Sequence, residues 1–207
     1  MLEFELRMAR LILIRHGESV ANLERRFTRN DDEPLTAAGL EQARETGLRL
    51  AGRYRPGVVY SSPLLRARQT ATLIAEAFGL EPRLLPGLHE QSFGELRGLP
   101  YSRYLELAPL EVGPGLWRRT PPGGESLLEV LERVRPIVDE IALRHQAEEA
   151  VVVSHGGVMA AIRGLVAGVA VVPRTTRNAS GYRLEGRPRE YRGPFSLFDD
   201  GPEPSHF

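Results

Sequence analysis

The chain has 207 residues, of which 42% are hydrophobic and 26% charged, a length and balance that fit one globular domain spanning residues 1–207. It has no cysteine and no lysine, which excludes disulfides, thiolate nucleophiles, cysteine zinc sites, lysine Schiff bases and the lysine of a P-loop. The formal net charge of zero gives no general attraction to nucleic acid or acidic membranes, so anions must be recognised locally, by arginine, histidine or backbone N–H groups.

The first half of the chain alternates apolar runs with helical patterns. Residues 10–14 are aliphatic on both faces, which predicts a strand of a parallel sheet. Thr36 is typical of a helix N-cap, and apolar residues recur at helical spacing after it. Further elements are predicted as a strand at residues 57–60, a helix at residues 64–78 and a strand at residues 83–88.

Residues 91–124 interrupt this alternation. They are rich in proline and glycine and show weak periodicity. We interpret the segment as a lid insertion over the main domain rather than as a second domain. Five of its large apolar side chains either line a substrate pocket or form the lid's own small core. They are Phe93, Leu99, Tyr101, Tyr104 and Trp117.

The second half returns to the alternation of helices and strands. Ser126 and Glu129 have the spacing of a capping box, which predicts the start of a long helix. Further elements are predicted as a strand at residues 150–153, a helix ending near residue 166, and weaker strands at residues 182–184 and 195–198. This order predicts an α/β fold, a three-layer α/β/α sandwich with a mixed, mostly parallel central sheet.

Two of the predicted strands end in the same dipeptide. LILIRHG ends one strand at His16 and Gly17, and VVVSHGG ends another at His155 and Gly156. One such histidine alone is more simply explained as a hydrogen-bond partner of a neighbouring loop. If the two strands are parallel neighbours, both imidazoles reach the edge of the sheet where α/β proteins bind ligands. The glycines allow a tight turn there and a close approach of a ligand.

Other strand ends add arginine and a carboxyl group. Arg15 precedes His16, Arg66 lies in the first turn of the helix after SSPLL, and Glu90 follows the next predicted strand. Arginine forks match phosphate oxygens, a histidine can attack phosphorus, and a carboxylic acid can protonate the departing oxygen. Together with His155, these residues predict phosphoryl transfer through a phosphohistidine.

Two other chemistries have less support in the sequence. The five histidines show no HExxH or His-x-His spacing, and arginines beside the site would repel a cation, so we expect neither a metal nor another cofactor. The G-x-S-x-G motif of serine hydrolases is absent.

Five segments together resemble the histidine phosphatase superfamily, also called the phosphoglycerate mutase-like family. They are RHGES, SSPLLRARQT, HEQSFGELRG, PPGGES and VVVSHGG, and they occur in the order typical of that family between Arg10 and about Gly168. The resemblance implies a mixed, mostly parallel sheet with helices on both faces, the fold that the alternation also predicts.

The resemblance also implies catalytic roles. His16 is similar to the nucleophile that accepts the phosphoryl group. Arg15, Arg66 and His155 are similar to the ligands of the phosphoryl oxygens, and Glu90 is similar to the proton donor to the leaving group.

Further positions resemble substrate- and phosphate-binding residues of the family. Asn22 matches a position that often contacts the phosphoryl group, and Gly156 is similar to a residue that lends its backbone N–H. Thr28 is similar to a residue of the mutase loop. Arg118 and Arg119 resemble a pair that holds a substrate carboxylate, although two solvated arginines in a lid fit the sequence equally well.

The family divides into mutases, which return the phosphoryl group to the substrate, and phosphatases, which give it to water. Arg29, Phe93, Tyr101 and Gly157 differ from the glycine, tyrosine, lysine and asparagine of the mutase pattern, and PPGGES resembles the phosphatase branch. We therefore expect metal-independent phosphomonoester hydrolysis. A phosphoglycerate mutase and a catalytically silent phospho-ligand-binding module remain the alternatives.

The expected partner is a small-molecule phosphomonoester, and Arg29, Arg118 and Arg119 suit a substrate with a second anionic group. The N-terminal residues lack an apolar signal core, and no apolar run approaches the roughly 20 residues that a membrane helix needs. We therefore expect a cytoplasmic protein without nucleic-acid or membrane partners, and the sequence leaves a homodimer open.

Overall fold

The computed structural model describes residues 7–107, 113–168 and 176–198. Short 3-10 turns in these ranges cover Pro86–Leu88, Gly94–Leu96 and Gly113–Trp117. The helices and strands, in chain order, are β1 (Ala9–Arg15), α1 (Val20–Leu23), α2 (Ala37–Ala51), β2 (Val58–Ser61), α3 (Leu65–Glu76), β3 (Pro82–Leu84), α4 (Ser102–Leu107), α5 (Leu127–Arg144), β4 (Glu149–Ser154), α6 (Gly156–Ala167), β5 (Gly181–Arg187) and β6 (Glu190–Ser196). None of the helices in these ranges has the length and apolarity needed to cross a membrane.

The strands form one mixed sheet in the order β3-β2-β4-β1-β5-β6. The first four of these strands are parallel, whereas β5 is antiparallel to both β1 and β6. The register pairs Arg15 with Ser154, and Ser61 with Val153. Strands β1, β4 and β2 therefore end at the same edge of the sheet, one residue before His16, His155 and Ser62.

Each face of the sheet has its own core. Leu11, Leu13 and Tyr60 pack on the side of α5 and α6. Ile12 and Val59 pack on the opposite side, with buried residues of α2 and α3. Burial on both faces explains why the first strand is aliphatic throughout. The three-layer α/β/α arrangement predicted from the sequence is confirmed.

The helix starts follow from local capping. The Thr36 hydroxyl accepts the N–H of Gly39 at the start of α2. Ser126 and Glu129 form the predicted capping box of α5, with the Ser126 N–H donating to Glu129 at 2.7 Å. Such caps satisfy backbone N–H groups that the first helical turn leaves unpaired.

Some predicted boundaries are wrong. The strand expected at residues 83–88 pairs only over Pro82–Leu84 and is followed by a 3-10 turn that begins at Pro86, which has no N–H for a ladder. The last strand is Glu190–Ser196 rather than residues 195–198. The short helix α1 was not predicted, and its start is capped by Ser19 and Asn22.

Three aromatic residues of the predicted lid pack around Phe27, which precedes the lid in the chain. The Phe27 ring lies 4.4 Å from that of Phe93, 5.0 Å from Tyr101 and 6.2 Å from Tyr104, measured between centroids. This packing favours a lid core over a pocket lining for these side chains. Trp117 instead joins the main core and is 3% exposed. Residues 108–112 of the predicted lid lie outside the described residues.

Candidate active site

Two buried histidines lie side by side at the edge of the sheet where β1 and β4 end. His16 is 2% exposed and His155 is 0% exposed. Their ring centroids are 5.2 Å apart, as the pairing of Arg15 with Ser154 requires. The structure thus brings together the two His-Gly dipeptides that stand 139 positions apart in the sequence.

The orientation of His16 leaves one ring nitrogen available. Its Nδ1 lies 2.7 Å from the carbonyl oxygen of Gly17, which can only accept, so Nδ1 carries the proton. The Nε2 atom accepts a hydrogen bond from Nε of Arg66 at 3.3 Å. Burial, reinforced by the charges of Arg66 and Arg15, lowers the pKa of His16 well below 6.5. The ring is therefore neutral, with a lone pair on Nε2.

The turn after His16 is held by side chains from distant elements. Thr70 of α3 accepts the N–H of Gly17 at 3.0 Å. The Asn178 amide donates to the carbonyl oxygens of both His16 and Gly17 at 3.1 Å. A Cβ at Gly17 would lie 2.4 Å from the carbonyl oxygen of Gly39, so only glycine fits this approach. Neither Thr70 nor Asn178 was predicted as a site residue.

Two arginines are buried beside the histidines. Arg66 is 2% exposed, and its Nη1 has no partner among the residues that the structure describes. Arg15 donates from Nη1 to the carbonyl oxygen of Thr176 at 2.6 Å, while its Nε contacts no acceptor in the described ranges. Burial lowers the pKa of both guanidinium groups, and the charge of Glu90 opposes this effect. Buried cations with unpaired N–H groups favour an anion that accepts from them.

His155 is fixed by a serine from the neighbouring strand end. Its Nε2 lies 2.7 Å from Oγ of Ser62. That hydroxyl oxygen accepts the N–H of Leu64, and its own proton can donate to Nε2. When Ser62 donates, the proton of the neutral His155 ring lies on Nδ1, a buried atom without a partner among the described residues. Burial and the nearby charges of Arg66, His16 and Arg15 lower the pKa of His155 well below 6.5.

Glu90 reaches the same edge from the loop after the Pro86–Leu88 turn. Its Oε1 accepts the N–H of Gln91 at 2.8 Å and the N–H of Gly157 at 3.0 Å. A Cβ at Gly157 would lie 2.8 Å from Oε1, so the glycine leaves room for the carboxylate. The first turn of α6 therefore orients Glu90.

Asn22 and Gly156 are also at the site. Asn22 accepts from the Asn178 amide at 2.9 Å and donates to the Tyr101 hydroxyl at 3.1 Å, which links the site to the lid. A Cβ at Gly156 would lie 3.6 Å from the guanidinium carbon of Arg15, so this glycine borders the arginine.

The remaining candidates lie toward the lid. Thr28 is half-buried and Arg118 is exposed. Arg119 is buried, donates to the carbonyl oxygen of Tyr104 at 3.0 Å and lies over the ring of that residue at 4.6 Å. Their binding of substrate stays a prediction. In the described part of the chain, no three or more His, Asp or Glu side chains are grouped as metal ligands would be.

Comparison with known proteins identifies the family. The profile of the histidine phosphatase superfamily (branch 1) matches residues 11–192. The chain belongs to this superfamily. Its relatives include both phosphatases and mutases. It is accordingly an enzyme with phosphatase or mutase activity.

Individual relatives include both kinds of enzyme. A metal-independent phosphoserine phosphatase from Arabidopsis thaliana is 35% identical over 76% of this chain and 68% of its own length. A 2,3-bisphosphoglycerate-dependent phosphoglycerate mutase from Methylobacterium sp. (strain 4-46) is 36% identical over 88% of this chain and 90% of its own. The solved structure of a mycobacterial glucosyl-3-phosphoglycerate phosphatase is 30% identical, with a TM-score of 0.72 over 87% of this chain and 91% of that one.

Proposed function

We propose that the protein is a metal-independent phosphomonoesterase that works through a phosphohistidine at Nε2 of His16. The observation that carries the proposal is a set of three buried nitrogens around the His16 ring that have no partner in the described part of the chain: Nε of Arg15, Nη1 of Arg66 and Nδ1 of His155. Each unpaired buried donor costs about 1–3 kcal/mol. A phosphoryl group supplies oxygens for all three donors at once, next to the unprotonated Nε2 of His16.

In the first step, Nε2 of His16 attacks phosphorus and forms the P–N bond as the P–O bond to the ester oxygen breaks. Glu90, in its protonated form, gives its proton to that oxygen, so the product leaves as a neutral alcohol. Arg15, Arg66 and His155 donate to the phosphoryl oxygens and stabilise their charge in the transition state.

In the second step, water attacks phosphorus and the P–N bond breaks. The electron pair returns to Nε2 of His16, and Glu90 takes a proton from the water as it attacks. Inorganic phosphate leaves, and both residues are again in their starting states. The site thus needs no metal to generate the nucleophile.

Hydrolysis is the better-supported of the two activities of the superfamily. A mutase must hold a bisphosphate intermediate away from water, which calls for additional cations near the site. Arg119 is engaged with Tyr104, so the exposed Arg118 is the one member of the pair that is left to meet a second anionic group. The 36% identity to the Methylobacterium mutase keeps mutase activity as the second candidate. A silent binding module is disfavoured because Arg15, His16, Arg66, Glu90 and His155 all converge.

Hydrolysis of 4-nitrophenyl phosphate in excess chelator tests the proposal. We expect the wild-type rate to be unchanged by chelation, and the His16→Ala variant to lose on the order of 10⁴-fold or more in kcat. His145→Ala is the matched control because His145 instead pairs with Tyr60 and Glu148. Loss of activity on chelation, or full activity of His16→Ala, would refute the mechanism.

The substrate class forms a second part of the proposal. The relatives named above act on phosphoserine, phosphoglycerate or glucosyl-3-phosphoglycerate, each a phosphomonoester that also carries a carboxylate. We propose that this chain also takes a small phosphomonoester with a second anionic group and that the exposed Arg118 binds it. Arg118→Ala then lowers the kcat/KM ratio of phosphoserine to phosphoethanolamine about tenfold. Arg103 is another exposed arginine of the lid, and Arg103→Ala should leave this ratio unchanged. If the ratio is also unchanged in Arg118→Ala, Arg118 does not bind the second anionic group.

A further inference from the structure

One arginine of α5 holds the backbone on the N-terminal side of Glu90. Nη1 of Arg133 donates to the carbonyl oxygen of Gly87 at 2.6 Å and to that of His89 at 3.1 Å. Nε and Nη2 of the same guanidinium form a two-pronged contact with the Glu125 carboxylate at 3.0 and 3.1 Å. The Arg133 side chain is 19% exposed, so the contacts are largely shielded from water.

Glu125 in turn holds the backbone on the C-terminal side of Glu90. Its Oε2 accepts the N–H of Ser92 at 2.9 Å, and its carbonyl oxygen accepts the side-chain amide of Gln91 at 2.6 Å. Its own N–H donates to the carbonyl oxygen of Ser92 at 2.8 Å. Burial would raise the pKa of Glu125, but the hydrogen bonds from Arg133 and Ser92 outweigh it and lower the pKa. Glu125 therefore holds Arg133 and Ser92 as a carboxylate.

Packing adds to these polar contacts. A Cβ at Gly87 would lie 2.2 Å from Cδ1 of Ile137, so the Pro86–Leu88 turn rests directly on α5. Ile137 stands one helical turn after Arg133 on the same face. Glu90 thus lies between two anchored residues, and its carboxylate is itself oriented by Gly157.

We propose that Arg133 is a positioning residue for the proton donor, holding Glu90 where it meets the leaving oxygen. The inference rests on the proposed function, because it assumes that Glu90 protonates that oxygen. Without Arg133, the carbonyls of Gly87 and His89 lose their donor and Glu125 loses its counter-charge, so the loop on both sides of Glu90 is released. Proton transfer depends steeply on such placement, and a displacement of about 1 Å can cost 10²-fold in rate.

The leaving group separates this role from a general structural one. A nitrophenolate departs without a proton, whereas an alkoxide needs one, so a misplaced acid slows alkyl phosphates selectively. We expect Arg133→Met to lower kcat/KM for glycerol phosphate about 10²-fold and kcat/KM for 4-nitrophenyl phosphate less than about threefold. The comparison uses kcat/KM because it covers the steps up to departure of the alcohol, before Glu90 acts on the water in the step that both esters share. Arg135 is an exposed arginine on the same helix, so Arg135→Met is the matched control and should leave hydrolysis of both esters unchanged.

Glu90→Gln distinguishes failure of this inference from failure of the proposed function. Its kcat/KM should fall on the order of 10²–10⁴-fold for glycerol phosphate and far less for the aryl ester. If Glu90→Gln lowers kcat/KM equally for both esters, the proton-donor role itself is wrong. If Glu90→Gln is selective while Arg133→Met affects both esters equally or neither, Arg133 does not position the acid.

A second variant and a double mutant keep the test valid if Arg133→Met does not fold. Glu125→Gln preserves the shape of the partner but removes its charge, and it should show the same selectivity for leaving groups in a weaker form. The double variant Glu90→Gln/Glu125→Gln should hydrolyse glycerol phosphate no more slowly than Glu90→Gln alone, because the acid is already absent. If the rate losses of the two single variants add fully in the double variant, the proposal is overturned.

Discussion

The carbonyl oxygen of Gly17 determines which nitrogen of His16 can react. It accepts from Nδ1 and so leaves the lone pair on Nε2, next to Arg66. Asn178 donates to this same oxygen and to the carbonyl oxygen of His16, which fixes the peptide between them. The tautomer of the nucleophile therefore depends on a residue that reaches it from the turn just before β5.

Replacement of Asn178 tests this dependence. Asn178→Asp replaces an N–H donor with a carboxylate that repels the two carbonyls and the Asn22 oxygen, so the His16 ring loses its fixed orientation. We expect kcat to fall about 10- to 100-fold. The ¹⁵N NMR signals of the His16 ring should change from a pure Nδ1–H form to a mixture of tautomers.

An exposed asparagine provides the control for this variant. Asn30 is exposed and accepts the N–H of Asp32, and Asn30→Asp should leave both the rate and the ring signals unaltered. Unchanged kcat together with an unchanged tautomer in Asn178→Asp would show that Asn178 does not act through His16.

The site residues differ in how far the sequence could reveal them. His16, His155, Arg66 and Glu90 could be predicted because each directly follows a predicted strand or opens a helix, and parallel strand ends converge. Asn178 could not, because it stands between a segment without periodicity and a weak strand. Ser62 is visible in SSPLLRARQT, but its contact with His155 follows from the register of β2 and β4, which a sequence pattern does not contain.

At the scale of elements, burial decided which strands could be predicted. β1, β2 and β4 are buried on both faces and appear as continuous apolar runs. β6 is half-exposed at the sheet edge and carries charged residues, so its apolar signal was confined to its C-terminal end and the predicted strand started too late. β3 was predicted too long because Pro86 ends its ladder.

The PPGGES segment performs two tasks at the junction of the lid and α5. Ser126 caps the helix, so α5 begins at a defined residue and Arg133 takes a fixed place along it. Glu125, the residue before the cap, binds both Arg133 and the loop that carries Glu90. The helix start and the acid are thereby coupled, which is the structural basis of the leaving-group test on Arg133.

At the scale of the whole molecule, the two buried histidines make stability depend on pH. The pKa values of His16 and His155 are lowered in the folded state from the ordinary 6.5. As pH falls below 6.5, the unfolded chain binds protons that the folded chain does not, so the free energy of unfolding decreases. Well above pH 6.5 the free energy of unfolding is not reduced by this effect. Below pH 6.5 it decreases by about 1 kcal/mol per pH unit for each histidine.

Urea unfolding between about pH 7.5 and about pH 5.5 measures this effect, because carboxylates titrate mostly below that window. The slope of stability against pH should be positive in the wild type and about half as steep in His155→Ala. A flat profile, or an unchanged slope in His155→Ala, would contradict the low pKa values of the pair.

The central claim is that the phosphoryl group passes through Nε2 of His16, and trapping the intermediate tests it most directly. Enzyme turning over 4-nitrophenyl phosphate is quenched rapidly into alkaline denaturant, in which phosphohistidine survives, and its peptides are analysed by mass spectrometry. We expect one phosphoryl group on the peptide that contains His16, and this label should disappear once the substrate is exhausted. Release of phosphate with that peptide unlabelled throughout turnover, or with the label on another residue, would contradict the account.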